Sequence, residues 1–100
     1  MNKYITDPAD QKRLEQLSSK IEDNYANYDD YVEYETILEK YPPAYQKVMD
    51  KLRQEGIFSI KDLYKMKEAK RSSMEAWRIA GVIGALVGIT AGLIMLSRKK

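Results

Sequence analysis

The hydrophobic and polar positions divide the chain into two unequal parts. Up to about residue 76, apolar side chains recur every three or four positions among charged ones, whereas the 18 residues from Ile79 to Leu96 include no charge and one hydroxyl. With its flanks, this run forms roughly 30 Å of helix, which matches the hydrocarbon core of a bilayer. The pattern predicts a transmembrane helix over residues 77–97. A buried core helix is disfavoured, because 100 residues are too few to surround a helix that is apolar on every side.

Helix start and stop signals delimit two helices at the N-terminus. Asp7 is a favourable N-cap and Pro8 suits the first helical position, so the first helix is expected to begin there. A break between about residues 24 and 27 is left open. The second helix runs to about Tyr41, and Pro42-Pro43 ends it. The apolar and tyrosine positions at helical spacing are Leu14, Leu17, Ile21, Tyr25, Tyr28, Tyr31, Tyr34, Ile37, Leu38 and Tyr41.

Two further helices are predicted before residue 76. The third covers about residues 43–54 and is followed by Gly56, which favours the C-terminal cap. Ser59 and Asp62 resemble a capping box and start a fourth helix, which is compatible with an unbroken continuation through Ala76 into the apolar segment. The expected core positions of these helices are Tyr45, Val48, Met49, Leu52, Leu63, Met66 and Met74.

These elements predict an all-α chain, in which a small N-terminal domain of three to four helices precedes one C-terminal transmembrane helix. Charge divides the chain further. Residues 1–39 carry 4 basic and 10 acidic side chains, whereas residues 40–78 carry 10 basic and 5 acidic ones. The resulting segments are an acidic, tyrosine-rich helical part (1–58), a basic juxtamembrane helix (59–76), the transmembrane helix (77–97) and a basic tail (98–100).

Basic residues flank the apolar segment on both sides. They are more numerous upstream, and basic flanks tend to stay in the cytoplasm, so the N-terminal domain is expected there or on the equivalent side of an organelle. The short tail after the helix indicates insertion in the manner of tail-anchored proteins. The expected membrane-interface residues are Trp77, Arg78, Arg98, Lys99 and Lys100. A basic face for lipid headgroups comprises Lys61, Lys65, Lys67, Lys70 and Arg71.

Small side chains occupy one side of the predicted transmembrane helix. At about 100° per residue, every glycine and alanine of the apolar run falls within an arc of roughly 140°. Gly84, Gly88 and Gly92 also repeat the Gly-x3-Gly spacing. Small residues let two helix backbones approach closely, and such packing drives helix association in lipid. The predicted helix-packing residues are Ala80, Gly81, Gly84, Ala85, Gly88, Ala91 and Gly92.

A second candidate surface is rich in tyrosine. Tyrosines recur at every third position from Tyr25 to Tyr34, and on one helix they fan over roughly 180°, so they cannot all face one small core. Exposed tyrosine is favoured at interfaces. Residues 42–45 also resemble the Pro-Pro-x-Tyr ligand of WW domains, although a helix break and restart explains the same residues. The partner-binding candidates are Tyr25, Tyr28, Tyr31, Tyr34, Pro42, Pro43 and Tyr45.

The composition argues against catalysis. The chain has no cysteine and no histidine, which removes thiol nucleophiles, the usual zinc ligands and the commonest general base. No phosphate-binding loop, calcium-binding loop or nucleophile with its base is recognisable. We therefore expect no enzyme activity, no cofactor, no metal and no small-molecule substrate. Lipid headgroups are the anions nearest to the basic face, so no nucleic-acid partner is expected.

Three functions are compatible with this layout. The first, which we favour, is a structural, accessory or assembly subunit that packs against other transmembrane helices in a homo-oligomer or a larger complex. The second is a membrane-tethered adaptor that recruits partners through the tyrosine-rich part or the Pro-Pro-x-Tyr turn. The third is a holin-like phage or bacterial protein that self-associates in the bilayer. A helical domain, one membrane helix and a basic tail resemble the haemolysin type of such proteins.

Overall fold

The computed structural model describes residues 4–69 and 76–98. Their regular structure is entirely helical, which confirms the predicted fold class. The predicted continuation of the fourth helix through Ala76 crosses residues 70–75, which lie outside the described residues. The five helices are α1 (Pro8–Glu22), α2 (Tyr28–Glu39), α3 (Pro42–Gln54), α4 (Ile60–Ala69) and α5 (Ala76–Arg98).

Local capping signals set the bounds of α1 and α2. Asp7 caps the start of α1 with its side chain, and Pro8 is the first helical residue. α1 ends at Glu22 and is capped by Asp23, and the next residue, Asn24, is left-handed with a φ of 66°. Asn27 and Asp30 then form a reciprocal capping box at the start of α2, since each side chain accepts a hydrogen bond from the other's amide. The chain therefore does break between α1 and α2, a point that the sequence did not decide.

Signals of the same kind delimit α3 and α4. Pro42 and Pro43 are the first two residues of α3, which begins one residue earlier than predicted. Gly56 follows α3 with a φ of 77° and completes the backbone hydrogen bonds of a Schellman motif. The Ser59 hydroxyl accepts a hydrogen bond from the Asp62 amide at 3.0 Å, which caps α4 as predicted.

The helices share one hydrophobic core. α2 packs against α1, α3 and α4, while α5 lies against α1 and α3 and also touches α4. The molecule measures 44 × 24 × 18 Å along its principal axes. The largest fully buried side chains of the core are Ile5, Leu14, Leu17, Ile21, Tyr31, Tyr34, Leu38, Met49, Leu52, Ile57, Ile60 and Leu63.

Within the described residues, α5 is the one helix that is long and apolar enough to cross a membrane. Its most apolar window of 18 residues has a mean hydropathy of 2.4, and 39% of that window is buried inside the molecule. Its position agrees with the predicted transmembrane helix. α5 also contributes to the core, but the helical domain covers it on one side only, because a chain of 100 residues is too short to surround it.

Candidate functional site in the C-terminal helix

One face of α5 is buried against the helical domain. It consists mainly of branched apolar side chains, whose removal from water contributes about 25 cal/mol per Å². Two hydroxyl residues, Thr90 and Ser97, belong to the same face and are also buried. We call it the docked face. Its residues are Ile79, Val82, Ile83, Leu86, Thr90, Leu93, Ile94 and Ser97.

The Tyr34 hydroxyl joins α2 to the docked face. It donates a hydrogen bond to Thr90 Oγ1 at 2.6 Å and accepts one from the Ser18 hydroxyl at 3.2 Å. All three side chains are buried, so these bonds replace the lost contacts with water. Burial raises the pKa of Tyr34 to about 12, because the charged phenolate is disfavoured away from water.

Ser97 ties the C-terminal end of α5 to the segment that precedes α1. Its Oγ accepts hydrogen bonds from the amides of Tyr4 and Ile5, both at 2.9 Å. The same hydroxyl donates to the Leu93 carbonyl one turn earlier, at 2.8 Å. Ser97 thus keeps one hydrogen bond within α5 and makes two to the domain.

The neighbouring Arg98 extends this contact to α1. Its Nε donates to Gln11 Oε1 at 3.0 Å, and its Nη2 forms an ion pair with Glu15 at 3.2 Å. The Gln11 amide in turn donates to the Ile5 carbonyl at 2.6 Å. One glutamine side chain therefore bridges the N-terminal segment and the end of α5.

The other end of α5 is tied to the end of α3. Arg78 Nε lies 3.3 Å from the Glu55 carboxylate, and its Nη2 donates to the Glu55 carbonyl at 3.0 Å. Trp77, beside it, is 78% exposed, and its placement suits a membrane interface. The expected interface residues Lys99 and Lys100 lie outside the described residues.

The opposite face of α5 is open. All four of its glycines are exposed, and a methyl group added at any of them would meet no atom within 4 Å beyond the helix's own nearby backbone. Met95 extends this strip and is 63% exposed. Of the predicted helix-packing residues, Ala85 alone is half-buried. We call the exposed strip the open face. Its residues are Ala80, Gly81, Gly84, Gly88, Ala91, Gly92 and Met95.

The tyrosine-rich candidates have two different environments. Tyr25 lies between α1 and α2 and is 64% exposed, and Tyr28, the first residue of α2, is 38% exposed. Neither is a core residue of α1, because that helix ends before them. Tyr31 and Tyr34 are fully buried in the domain, so in this structure they are not accessible to a partner.

Tyr31 lies beside α4. Its ring meets that of Tyr64 edge-on at 5.1 Å, and Lys67 Nζ lies 5.8 Å from its centroid. The Tyr31 hydroxyl is buried, and no hydrogen-bond partner for it is present among the described residues. Burial raises its pKa to about 12.

The Pro-Pro-x-Tyr segment forms the start of α3. Pro42 and Pro43 are exposed but helical, whereas a WW-domain ligand adopts a polyproline II conformation. Tyr45 is half-buried, and its hydroxyl donates to Glu35 Oε2 at 3.2 Å. In this structure the segment serves as the break and restart that the sequence also allowed.

The basic face on α4 is partly engaged. Lys61 and Lys65 are exposed. Lys67 donates to Asn24 Oδ1 at 2.9 Å, and its side chain is mostly covered. The other two predicted headgroup residues, Lys70 and Arg71, lie outside the described residues. Within residues 4–69 and 76–98, no cluster of three carboxylates is arranged to bind a metal ion.

Thr90 and Ser97 are contact residues that were not predicted from the sequence. What could have identified them is that they are isolated polar residues. Thr90 is the single hydroxyl of the apolar run, and Ser97 follows seven residues later, on the same side of the helix. Polar side chains that share one face of an apolar helix indicate that this face meets hydrogen-bonding groups.

No protein-family model matches the chain, and no curated protein or solved structure is significantly similar to it. The docked and open faces of α5 are therefore the features from which a function is inferred.

Proposed function

We propose that the protein is a non-enzymatic, single-pass membrane protein that acts as an accessory or assembly subunit. α5 is its membrane helix, and the open face binds a transmembrane helix of another subunit or of a second copy. The observation that carries this proposal is the open face itself, a strip of glycine and alanine that lies exposed along α5.

The chemistry of the open face suits a helical partner in lipid. Lipid tails are as apolar as the helix, so association depends on close van der Waals packing, which small side chains permit. Gly84, Gly88 and Gly92 recur at every fourth position, one above the other. A methyl group at each would meet open space, so the backbone at these positions is free to contact a partner helix.

The ends of α5 support its place in a bilayer. The exposed Trp77 suits the headgroup region, and both Arg78 and Arg98 can extend towards it. Those two arginines are roughly 30 Å apart along the helix, which is the thickness of a hydrocarbon core. The N-terminal domain then lies on the cytoplasmic or equivalent side, with the exposed Lys61 and Lys65 available to lipid headgroups.

Mild detergent extraction of the full chain from membranes, followed by mass spectrometry of the intact complexes, tests this proposal. We expect the wild-type protein in a stoichiometric complex, either with copies of itself or with another subunit. Gly88→Leu places a large side chain at the centre of the open face. This variant should lower recovery of the complex about tenfold, which corresponds to a loss of about 1.4 kcal/mol in association free energy. The protein itself should remain in the membrane.

Val87→Leu is the matched control. Val87 adjoins Gly88 in sequence but is half-buried beside the core, and the substitution adds only one methylene. The complex should survive it. If Gly88→Leu assembles as well as Val87→Leu, the open face is not a packing interface. A wild-type protein that is extracted as a monomer would contradict the assembly role itself.

A further inference from the structure

We infer that the groove between α1 and α3 is a reversible binding site for α5, and that this helix exchanges between the groove and the bilayer. The inference rests on the proposed membrane function, since it requires α5 to enter lipid. The docked structure is then the form of the protein in water, and the same docked face meets acyl chains after release.

The docked arrangement cannot itself span a membrane. α1 and α3 lie along α5, and both carry exposed charges, such as Lys12 on α1 and Lys47 and Asp50 on α3. A bilayer crossed by docked α5 would have to accommodate these charges in its hydrocarbon core, where ionised side chains are strongly disfavoured. α5 therefore has to leave the groove before it can cross.

Release leaves no polar group of the docked face without a partner. Ser97 already donates to the Leu93 carbonyl and retains that bond in lipid. Thr90, once separated from Tyr34, can donate in the same way to the carbonyl of the residue four positions earlier. Tyr34 and the amides of the N-terminal segment become accessible to water. The docked face is thus suited to both environments.

The ion pairs at the two ends of α5 are ones that a membrane surface can replace. The four side chains of the Arg78–Glu55 and Arg98–Glu15 pairs are all partly exposed. Ion pairs of this kind contribute little to stability in water. Anionic lipid phosphates bind arginine through the same charge-assisted hydrogen bonds. An anionic bilayer therefore competes for both arginines as the apolar docked face leaves the groove.

A disulfide between the N-terminal segment and α5 tests the exchange. The chain has no cysteine. The Tyr4 amide lies 2.9 Å from Ser97 Oγ, so the two Cα atoms are within about 7 Å by the intervening bond lengths, near the range that a disulfide spans. The double variant Tyr4→Cys/Ser97→Cys, oxidised or reduced, is mixed with vesicles of phosphatidylcholine and phosphatidylglycerol. Insertion is measured by flotation after a carbonate wash.

We expect the reduced double variant to insert and the oxidised one to insert at least tenfold less. The single variant Ser97→Cys controls for the oxidant and should insert equally under both conditions. Failure of the disulfide to form in water would overturn the inference, because α5 would then not be docked. Equal insertion of the oxidised and reduced forms would also overturn it, and would leave the membrane function intact.

Tyr34→Phe provides an independent test without cysteines. It removes the hydroxyl that bonds Thr90 in the docked state, so it should increase insertion about tenfold at limiting lipid. Tyr41→Phe is its matched control, because the Tyr41 hydroxyl bonds Asp10 on α1 and not α5. If the two variants increase insertion equally, the increase reflects general destabilisation of the domain. That result would contradict the inference that α5 leaves a specific groove. If the wild-type and both variants fail to enter vesicles, the proposed membrane function fails instead.

Discussion

At the scale of single residues, Tyr34 connects the helical domain to α5. Its hydroxyl lies between Ser18 on α1 and Thr90 on α5, so three helices meet at one phenol. A buried hydroxyl of this kind stabilises the arrangement only while it is neutral and hydrogen-bonded, because an ionised phenolate is disfavoured in the core.

We expect the Tyr34 phenol to resist ionisation at alkaline pH. Its pKa is raised from 10.0 to about 12 by burial. Because the folded-state value is the higher one, the stability linked to the neutral phenol is fully present below pH 10.0 and is lost as the pH rises towards 12. An ultraviolet titration of tyrosinate should show a late step, to which Tyr31 and Tyr41 also contribute.

The substitution Tyr34→Phe should make this late step smaller by one phenol. A late step of unchanged size would show that the Tyr34 ring is accessible to solvent, which contradicts its position between α1 and α5.

At the scale of elements, glycine has two distinct roles in this chain. Gly56 ends α3 in a left-handed conformation, which an L side chain adopts only at a cost. Gly81 is an ordinary helical residue on the open face, with space around its Cα. The same substitution therefore has opposite consequences at the two positions.

Gly56→Ala is expected to lower the free energy of unfolding by about 1–2 kcal/mol, the cost of a left-handed Cβ. Gly81→Ala should leave it unchanged or raise it by up to about 1 kcal/mol, because alanine favours helix and meets no neighbour. Urea unfolding of the two variants in water, followed by far-UV circular dichroism, measures both. Equal stabilities would show that α3 does not end in the left-handed cap.

At the scale of the whole molecule, α5 and the helical domain share one core. Leu86, at the centre of the docked face, is buried against side chains of the other helices. Because side chains of α5 belong to the same core cluster as those of α1 to α4, the stability of the docked form in water includes the contribution of a helix that is also suited to lipid. This coupling distinguishes the docked structure from a folded domain with a passive anchor.

Leu86→Ala is therefore expected to destabilise the entire molecule in water by about 2–5 kcal/mol. Near-UV circular dichroism of the buried tyrosines and far-UV circular dichroism of the helices should report one coincident transition. Met95→Ala, on the open face of the same helix, should change the stability by no more than about 0.5 kcal/mol. A tyrosine signal unaffected by Leu86→Ala would mean that the domain folds without α5.

Helix positions were predictable from the sequence because their signals are local. Asp7-Pro8, Gly56 and Ser59 each act on the backbone within one turn, and each occupies its predicted place in the structure. The break after α1 was left open, because Asn24 adopts the left-handed conformation less readily than glycine and is a weaker signal in a sequence.

By itself, the sequence determined an all-helical chain with one apolar C-terminal helix and the separation of that helix into small and branched sides. These properties follow from spacing, since 3.6 residues per turn fix which side chains share a face. Tertiary structure alone decided what each face meets. Burial of apolar area in water places the branched side of α5 in the groove, where Tyr34 and the N-terminal amides match Thr90 and Ser97. Those partners are distant along the chain, so no local pattern could name them.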